Sequence, residues 1–307
     1  MPSSKVVEPF GEVNVFQQTD GSIRVKATIL MAPAIEGAQT GLAIDGSASM
    51  KEMFGKSGAV SNIFGGNKTN IVEPVARTIA SYLANFDSDG NTTVIYWACG
   101  PGGNNIEEVG DIDTVTAKTK DFRTPKQFGT GTKLLPAVKY FTETKFPCAP
   151  WSIFVFITDG IIEDIDDVKQ YSLALGKQIA DGQRSFVKLV LIGIGTEVDE
   201  GQMEALDDLD YSGLKDKSGQ EIDIWDHKLA AEMQKIEEIF AEVVSTDAIL
   251  APSGEILDSA GNQVRPIGRN SYKDGLPALL EFVVPSGTKD FTLSVPGVNK
   301  IVQSIII

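Results

Sequence analysis

The chain has 307 residues, 42% hydrophobic and 22% charged, a globular balance that excludes a disordered, collagen-like or coiled-coil protein. Its 42 acidic residues outnumber 27 basic ones and leave a net charge of −15, which argues against general nucleic-acid or membrane-surface binding and suits divalent cations or basic partners. That length allows about two domains.

Val13 and Val15 alternate with polar residues before Thr19-Asp20-Gly21, and Ile23, Val25, Ala27 and Ile29 alternate after it. An Asp-Gly between two alternating runs predicts a β-hairpin. Residues 31–34 then read as a linker, and from Gly41 buried strands alternate with amphipathic helices. Residues 41–44 form the first buried strand, ending in Asp45, and a Gly-rich segment follows at 55–66. Asn70 with Glu73 three residues later predicts a capped helix, with Ile71, Val75, Ile79, Leu83 and Phe86 as its apolar stripe. A turn at 87–91 leads into a strand at 93–98, a short edge strand at 106–115, and a helix from Thr132 with Pro136 in its first turn.

Residues 152–157 read as a fully buried strand, apolar from Ile153 to Ile157, that stops at Thr158-Asp159-Gly160. A helix carrying Ile165, Val168, Tyr171, Leu175 and Ile179 follows, then a strand at 186–194 and a short helix at 200–209. Next come a strand at 221–225 and a last helix with Leu229, Met233, Ile236, Phe240 and Val243. Apolar strands alternating with helices predict a doubly wound, mostly parallel, Rossmann-like sheet with flanking helices. After about residue 246 the pattern turns all-β, with strands expected at 248–251, 255–258, 279–284, 291–295 and 301–307. The expectation is an α/β domain at 38–245 and a β-sandwich-like domain from 1–37 plus 246–307. Trp97, Trp151 and Trp225 read as core, and no internal repeat is present.

Cys99 and Cys148 make neither a disulfide framework nor a zinc cluster. No signal-like apolar core follows Met1, and no run approaches the ~18 apolar residues of a membrane span. A cytoplasmic protein with free thiols is expected.

The chemistry concentrates at Asp45-Gly46-Ser47-Ala48-Ser49, directly after the first buried strand. In open parallel sheets, ligands bind beyond the carboxyl ends of the strands. Oxygen side chains at i, i+2 and i+4 leaving that edge suit one small hard cation. Thr132 in Gly131-Thr132-Lys133-Leu134, and Asp159 at the end of another strand, add a hydroxyl and a carboxylate. Three hydroxyls and two carboxylates fit Mg²⁺ or Mn²⁺, with Ca²⁺ as a further hard cation, and do not fit zinc.

Asp45, Ser47, Ser49, Thr132 and Asp159 resemble the metal-ion-dependent adhesion site of the von Willebrand factor A domains: Asp-x-Ser-x-Ser, a threonine before a helix, and an aspartate ending a later strand. Leu134 and Ala137, two and five residues on, favour Thr132 over Thr130. The resemblance covers about residues 38–245. It implies that Ser47, Ser49 and Thr132 touch the cation and that Asp45 and Asp159 act largely through water. An open coordination position is then kept for an Asp or Glu of a partner protein. Phe86-Asp87-Ser88-Asp89-Gly90, Ile157-Thr158-Asp159-Gly160 and Leu206-Asp207-Asp208-Leu209 look closest to the bacterial intracellular branch associated with tellurite resistance. Two departures are Ala48, where many members have glycine, and the insertion at 55–66.

Other motifs are weaker. Phe54-Gly55-Lys56-Ser57 lacks the glycine a P-loop needs where Met50 stands. His227 beside Asp226 is expected at a helix start, and no Gly-x-Ser-x-Gly elbow offers it a nucleophile. Glu163, Asp164, Asp166 and Asp167 read as a helix N-terminus, where carboxylates favour the dipole. No catalytic residues are assigned. The function expected is a metal-dependent protein-binding module, with a Mg-dependent hydrolase or phosphotransferase on the same sheet edge as the alternative.

Overall fold

The hairpin expected around Asp20-Gly21 is formed by β1 (Phe10–Gln17) and antiparallel β2 (Ile23–Ile29), with Val13, Val15, Ile23, Val25 and Ala27 buried. The structure is a computed structural model and describes residues 6–7, 9–29, 37–55, 69–195, 197–216, 221–230, 249–251, 253–273, 276–277, 279–296 and 300–305. The linker at 31–34, most of the Gly-rich segment and the last helix beyond residue 230 lie outside them. The chain divides into two compact units, Met1–Ile35 with Glu237–Ile307, and Glu36–Ile236.

The Glu36–Ile236 unit opens with β3 (Gln39–Asp45), and α1 (Val72–Phe86) leads into β4 (Asn91–Cys99) and β5 (Asn105–Asp113). Two short helices, α2 (Thr114–Thr119) and α3 (Leu135–Lys139), precede β6 (Trp151–Thr158). Then come α4 (Ile165–Ala180), β7 (Phe186–Gly193), α5 (Glu200–Asp207) and β8 (Trp225–Leu229). The six strands run in the order β5-β4-β3-β6-β7-β8, parallel throughout except for the antiparallel edge strand β5. This is the doubly wound, mostly parallel sheet expected. Every residue of β6 is buried, as a strand covered on both faces requires. On one face α3, α4 and α5 cover Phe154, Phe156, Leu189, Leu191 and Trp225. Each such side chain contributes about 1.5–3 kcal/mol.

The topology matters for the site. β3 lies between β4 and β6, so the chain leaves β3 toward one side of the sheet and later returns on the other. Such a switch of direction opens a crevice at the carboxyl ends of the two strands. Asp45 closes β3 there, and Asp159 follows directly after β6.

Three expectations need correction. The strand expected at 221–225 is β8, four residues further on, paired with β7 in the register Leu189↔Trp225. An edge strand half open to solvent carries Asp226, His227 and Lys228, so no apolar run announced it. Leu229 therefore belongs to a strand, and His227 lies inside β8, not at a helix start. In α1 the buried stripe is Val72, Ala76, Ile79, Ala80, Leu83 and Phe86, while Ile71 is exposed. Small alanines let the helix sit close to the sheet and turn the stripe by about one residue. Asn70 does accept from the amides of Val72 and Glu73, both at 3.1 Å.

The remaining strands are β9 (Ile249–Ala251), β10 (Glu255–Asp258), β11 (Arg265–Pro266), β12 (Leu276–Pro277), β13 (Leu279–Val284), β14 (Asp290–Ser294) and β15 (Ile301–Ser304). They build antiparallel sheets in the orders β1-β2-β13-β11, β10-β14-β15 and β12-β9. β2 pairs with β13 from Ile23↔Val284 to Thr28↔Leu279, joining the two chain ends. Phe291 of β14 meets Phe10 and Phe282 edge-on, with ring centroids at 5.3 and 5.0 Å, so the larger two sheets share a core. This is the all-β part expected from the chain ends.

Candidate metal centre

Asp45 is wholly buried at the end of β3. Its Oδ1 accepts from the Ser47 amide at 2.7 Å, a local turn that swings the chain off the strand. Its Oδ2 accepts from the Thr158 hydroxyl at 2.7 Å across the β3–β6 seam. Gly46 makes the turn fit: a Cβ there would lie 2.7 Å from Cys99 Sγ. The turn sets the Ser47 and Ser49 hydroxyls 3.0 Å apart, and Ser49 donates to Asp159 Oδ1 at 2.8 Å. Asp45, Ser47, Ser49 and Asp159 are thus brought together by one hydrogen-bonded chain.

Thr132 arrives on a third loop. Ser47 bridges Gly129, whose amide donates to Gly46 O at 2.8 Å, so the segment leading to Thr132 runs beside the Asp45 turn. Thr130 Oγ1 accepts from the Gly102 amide at 2.8 Å and is committed to loop structure. The Thr132 hydroxyl has no hydrogen-bond partner among the described residues, although only 8% of the residue is exposed. Asp164 Oδ1 and Oδ2 accept from the amides of Leu134 and Leu135, at 2.8 and 3.0 Å, fixing the start of α3. Within the acidic run at 163–167, Asp164 therefore ties two loops together.

Burial pushes the Asp45 carboxyl up to about 7 against the lowering effect of its hydrogen bonds, and also raises Asp159. Neither carboxylate has a Lys, Arg or His partner among the described residues. Two carboxyls and three hydroxyls without a counter-charge fit a hard divalent cation. No group of three or more His, Cys, Asp or Glu suited to a metal occurs among the described residues, so a cation here would depend on Ser47, Ser49 and Thr132 for direct oxygens. Thr158 was missed from sequence, since only strand order brings it opposite Asp45. His227 has a different partner: its Nδ1 lies 2.6 Å from Asp207 Oδ2. Both cysteines are free, Cys99 buried and Cys148 exposed. No described helix is long and apolar enough to cross a membrane.

No protein-family model matches the chain, and no curated protein matches it by sequence. Among solved structures it is similar to the ArnB paralog VWA2 from Sulfolobus acidocaldarius, at 15% identity and a TM-score of 0.37, over 96% of this chain and 70% of that one. It is also similar to the pilus adhesin SpaC from Lactobacillus rhamnosus GG, at 10% identity and a TM-score of 0.40. That alignment takes in 95% of this chain and 47% of the adhesin, so the chain spans about half the adhesin's length.

Proposed function

We propose that the Glu36–Ile236 unit is a metal-dependent protein-binding module. A divalent cation, Mg²⁺ or Mn²⁺, would be held by Ser47, Ser49 and Thr132 with Asp45 and Asp159 behind them, and would accept an Asp or Glu from a partner protein. The observation that carries this reading is the hydrogen-bonded chain Thr158–Asp45–Ser47–Ser49–Asp159 at the switch point of the sheet. Hydroxyl ligands leave the cation under-neutralised, which favours one more anionic oxygen from outside. Ser47 and Ser49 fix the donor spacing, Thr158 orients Asp45, and Asp164 holds the Thr132 loop. The match of the five residues to the von Willebrand factor A motif supports the same reading, and the strings at 86–90, 157–160 and 206–209 favour a bacterial stress or metal-resistance assembly in the cytoplasm.

Calorimetry of the full chain tests it. Mg²⁺ or Mn²⁺ should bind the wild type, and binding should disappear in Ser47→Ala and Asp159→Ala while circular dichroism stays unchanged. Equal cation binding in all three proteins would sink the reading. Mg²⁺-dependent turnover of phosphatase or esterase substrates that needs Ser47 would favour the hydrolase alternative.

A further inference from the structure

We propose that the cleft between α1 and α2 binds a small organic monoanion, an apolar body carrying one carboxylate. The cleft lies within the Glu36–Ile236 unit, shares no residue with the candidate metal centre and does not depend on the cation reading.

One face of α1, from Pro74 to Asn85, lines this cleft together with Lys118 of α2. Its volume is about 490 Å³, the size of an ordinary small-molecule site. Both ends of α2 are tied to α1. Asn85 Oδ1 accepts from the Thr114 hydroxyl at 3.1 Å where α2 begins, and Arg77 Nε donates to the Lys120 carbonyl at 2.6 Å just beyond its end. These ties hold the two walls in place before any ligand arrives.

The charge of the lining runs against that of the chain. None of the 42 acidic residues lines the cleft, whereas Arg77 and Lys118 both do. Arg77 Nη2 lies 2.8 Å from Glu73 Oε1, so that charge is already met. Lys118 has neither an ion-pair nor a hydrogen-bond partner among the described residues, which leaves one uncompensated positive charge. With its Oδ1 engaged, Asn85 keeps its Nδ2 hydrogens as further donors. Pro74, the Tyr82 ring and the methylene stems of Arg77 and Lys118 supply apolar wall. An ammonium and an amide donor, with no acid beside them, select a carboxylate head. A single free cation matches one negative charge, and the net charge of −15 opposes a doubly charged phosphate more strongly.

Calorimetric titration of the full chain with 2-naphthoate, its neutral counterpart 2-naphthamide and inorganic phosphate tests this. The naphthoate should bind at one site, about fivefold or more tighter than the amide, and phosphate should not bind. Lys118→Gln should weaken naphthoate binding about fivefold, the effect of one opposite charge at contact in water. Thr78→Glu, at an exposed position on the α1 wall, should abolish it. Lys177→Gln removes an exposed lysine of α4 outside the cleft, makes the same change in net charge and should bind like wild type. Thermal midpoints of the three variants should match that of the wild type. Absence of naphthoate binding to the wild type would overturn the proposal, as would equal binding of the amide or of phosphate. Equal effects of Lys118→Gln and Lys177→Gln would trace the binding to overall charge and overturn it too. Wild-type affinity in a folded Thr78→Glu protein would place the ligand elsewhere, with the same result.

Discussion

Lys188 lies on β7 with 4% of its side chain exposed, and its Nζ sits 2.9 Å from both Asp223 Oδ2 and Asp226 Oδ2. It also donates to the Trp225 carbonyl at 3.3 Å. Asp223 is largely open to water and Asp226 is not, so Asp226 is the partner whose loss would be felt. Burial pushes the Asp226 carboxyl up to about 6 even with the ammonium beside it. Removing one member of a buried pair strands the other charge, at a cost of about 3–5 kcal/mol, whereas replacing both by apolar groups is often neutral. Urea unfolding should therefore show Lys188→Met destabilised by that amount, and Lys188→Met/Asp226→Leu restored to within about 1 kcal/mol. A double variant no more stable than the single one would mean that the pair holds β8 in place by geometry, not charge. Chain order carries no trace of this contact. Lys188 meets Asp226 only because β8 is the neighbour of β7, just as Thr158 reaches Asp45 only because β6 is the neighbour of β3.

At the scale of elements, the hairpin β1–β2 has an open side until β13 fills it. Phe282 and Leu280 of β13 are wholly buried, and their strand would become a bare edge without β2. A chain lacking residues 1–29 should scatter light and bind a hydrophobic dye at concentrations where the intact chain is clear. Monomeric, dye-free behaviour of the shortened chain would show the hairpin to be dispensable. The elements legible in sequence were those with a strong period. The alternation of β1 and β2, the apolar run of β6 and the 3.6-residue stripe of α4 each reflect burial on a defined face. β8 was displaced because an edge strand hides one face only, and α3 runs into a π-helical turn at Tyr140–Lys145 that no period announces. The strand ends at Asp45 and Asp159 were legible because a carboxylate breaks each apolar run, although both carboxylates are themselves buried. Asp164 was read with its acidic neighbours because its bonds to the Leu134 and Leu135 amides exist only after two loops fold together.

For the molecule as a whole, the charge of −15 and the buried carboxyls act in one direction. Burial raises Asp87 to about 6, as it does Asp226. With folded values above the ordinary carboxylate range, the native state keeps protons that the unfolded chain has released, so stability falls as pH rises from about 4 to about 6. Self-repulsion among the acidic residues grows over the same interval. Asp113 and Asp121, lowered by hydrogen bonds, pull the other way but are fully exposed. In metal-free buffer the urea midpoint should therefore drop between pH 4 and pH 6, and Asp87→Asn should flatten the slope; a midpoint that climbs over that range would contradict it. The pairing of Ala27 with Leu280 has a consequence for how the protein is made. These partners are separated by roughly 250 residues, so at about 5–20 residues per second β2 leaves the ribosome some 12–50 s before β13 exists. Throughout translation the hairpin waits with an unpaired flank, while the strands and helices of Glu36–Ile236 emerge in between. Vectorial synthesis thus imposes an order in which the first strands made are among the last to find their place.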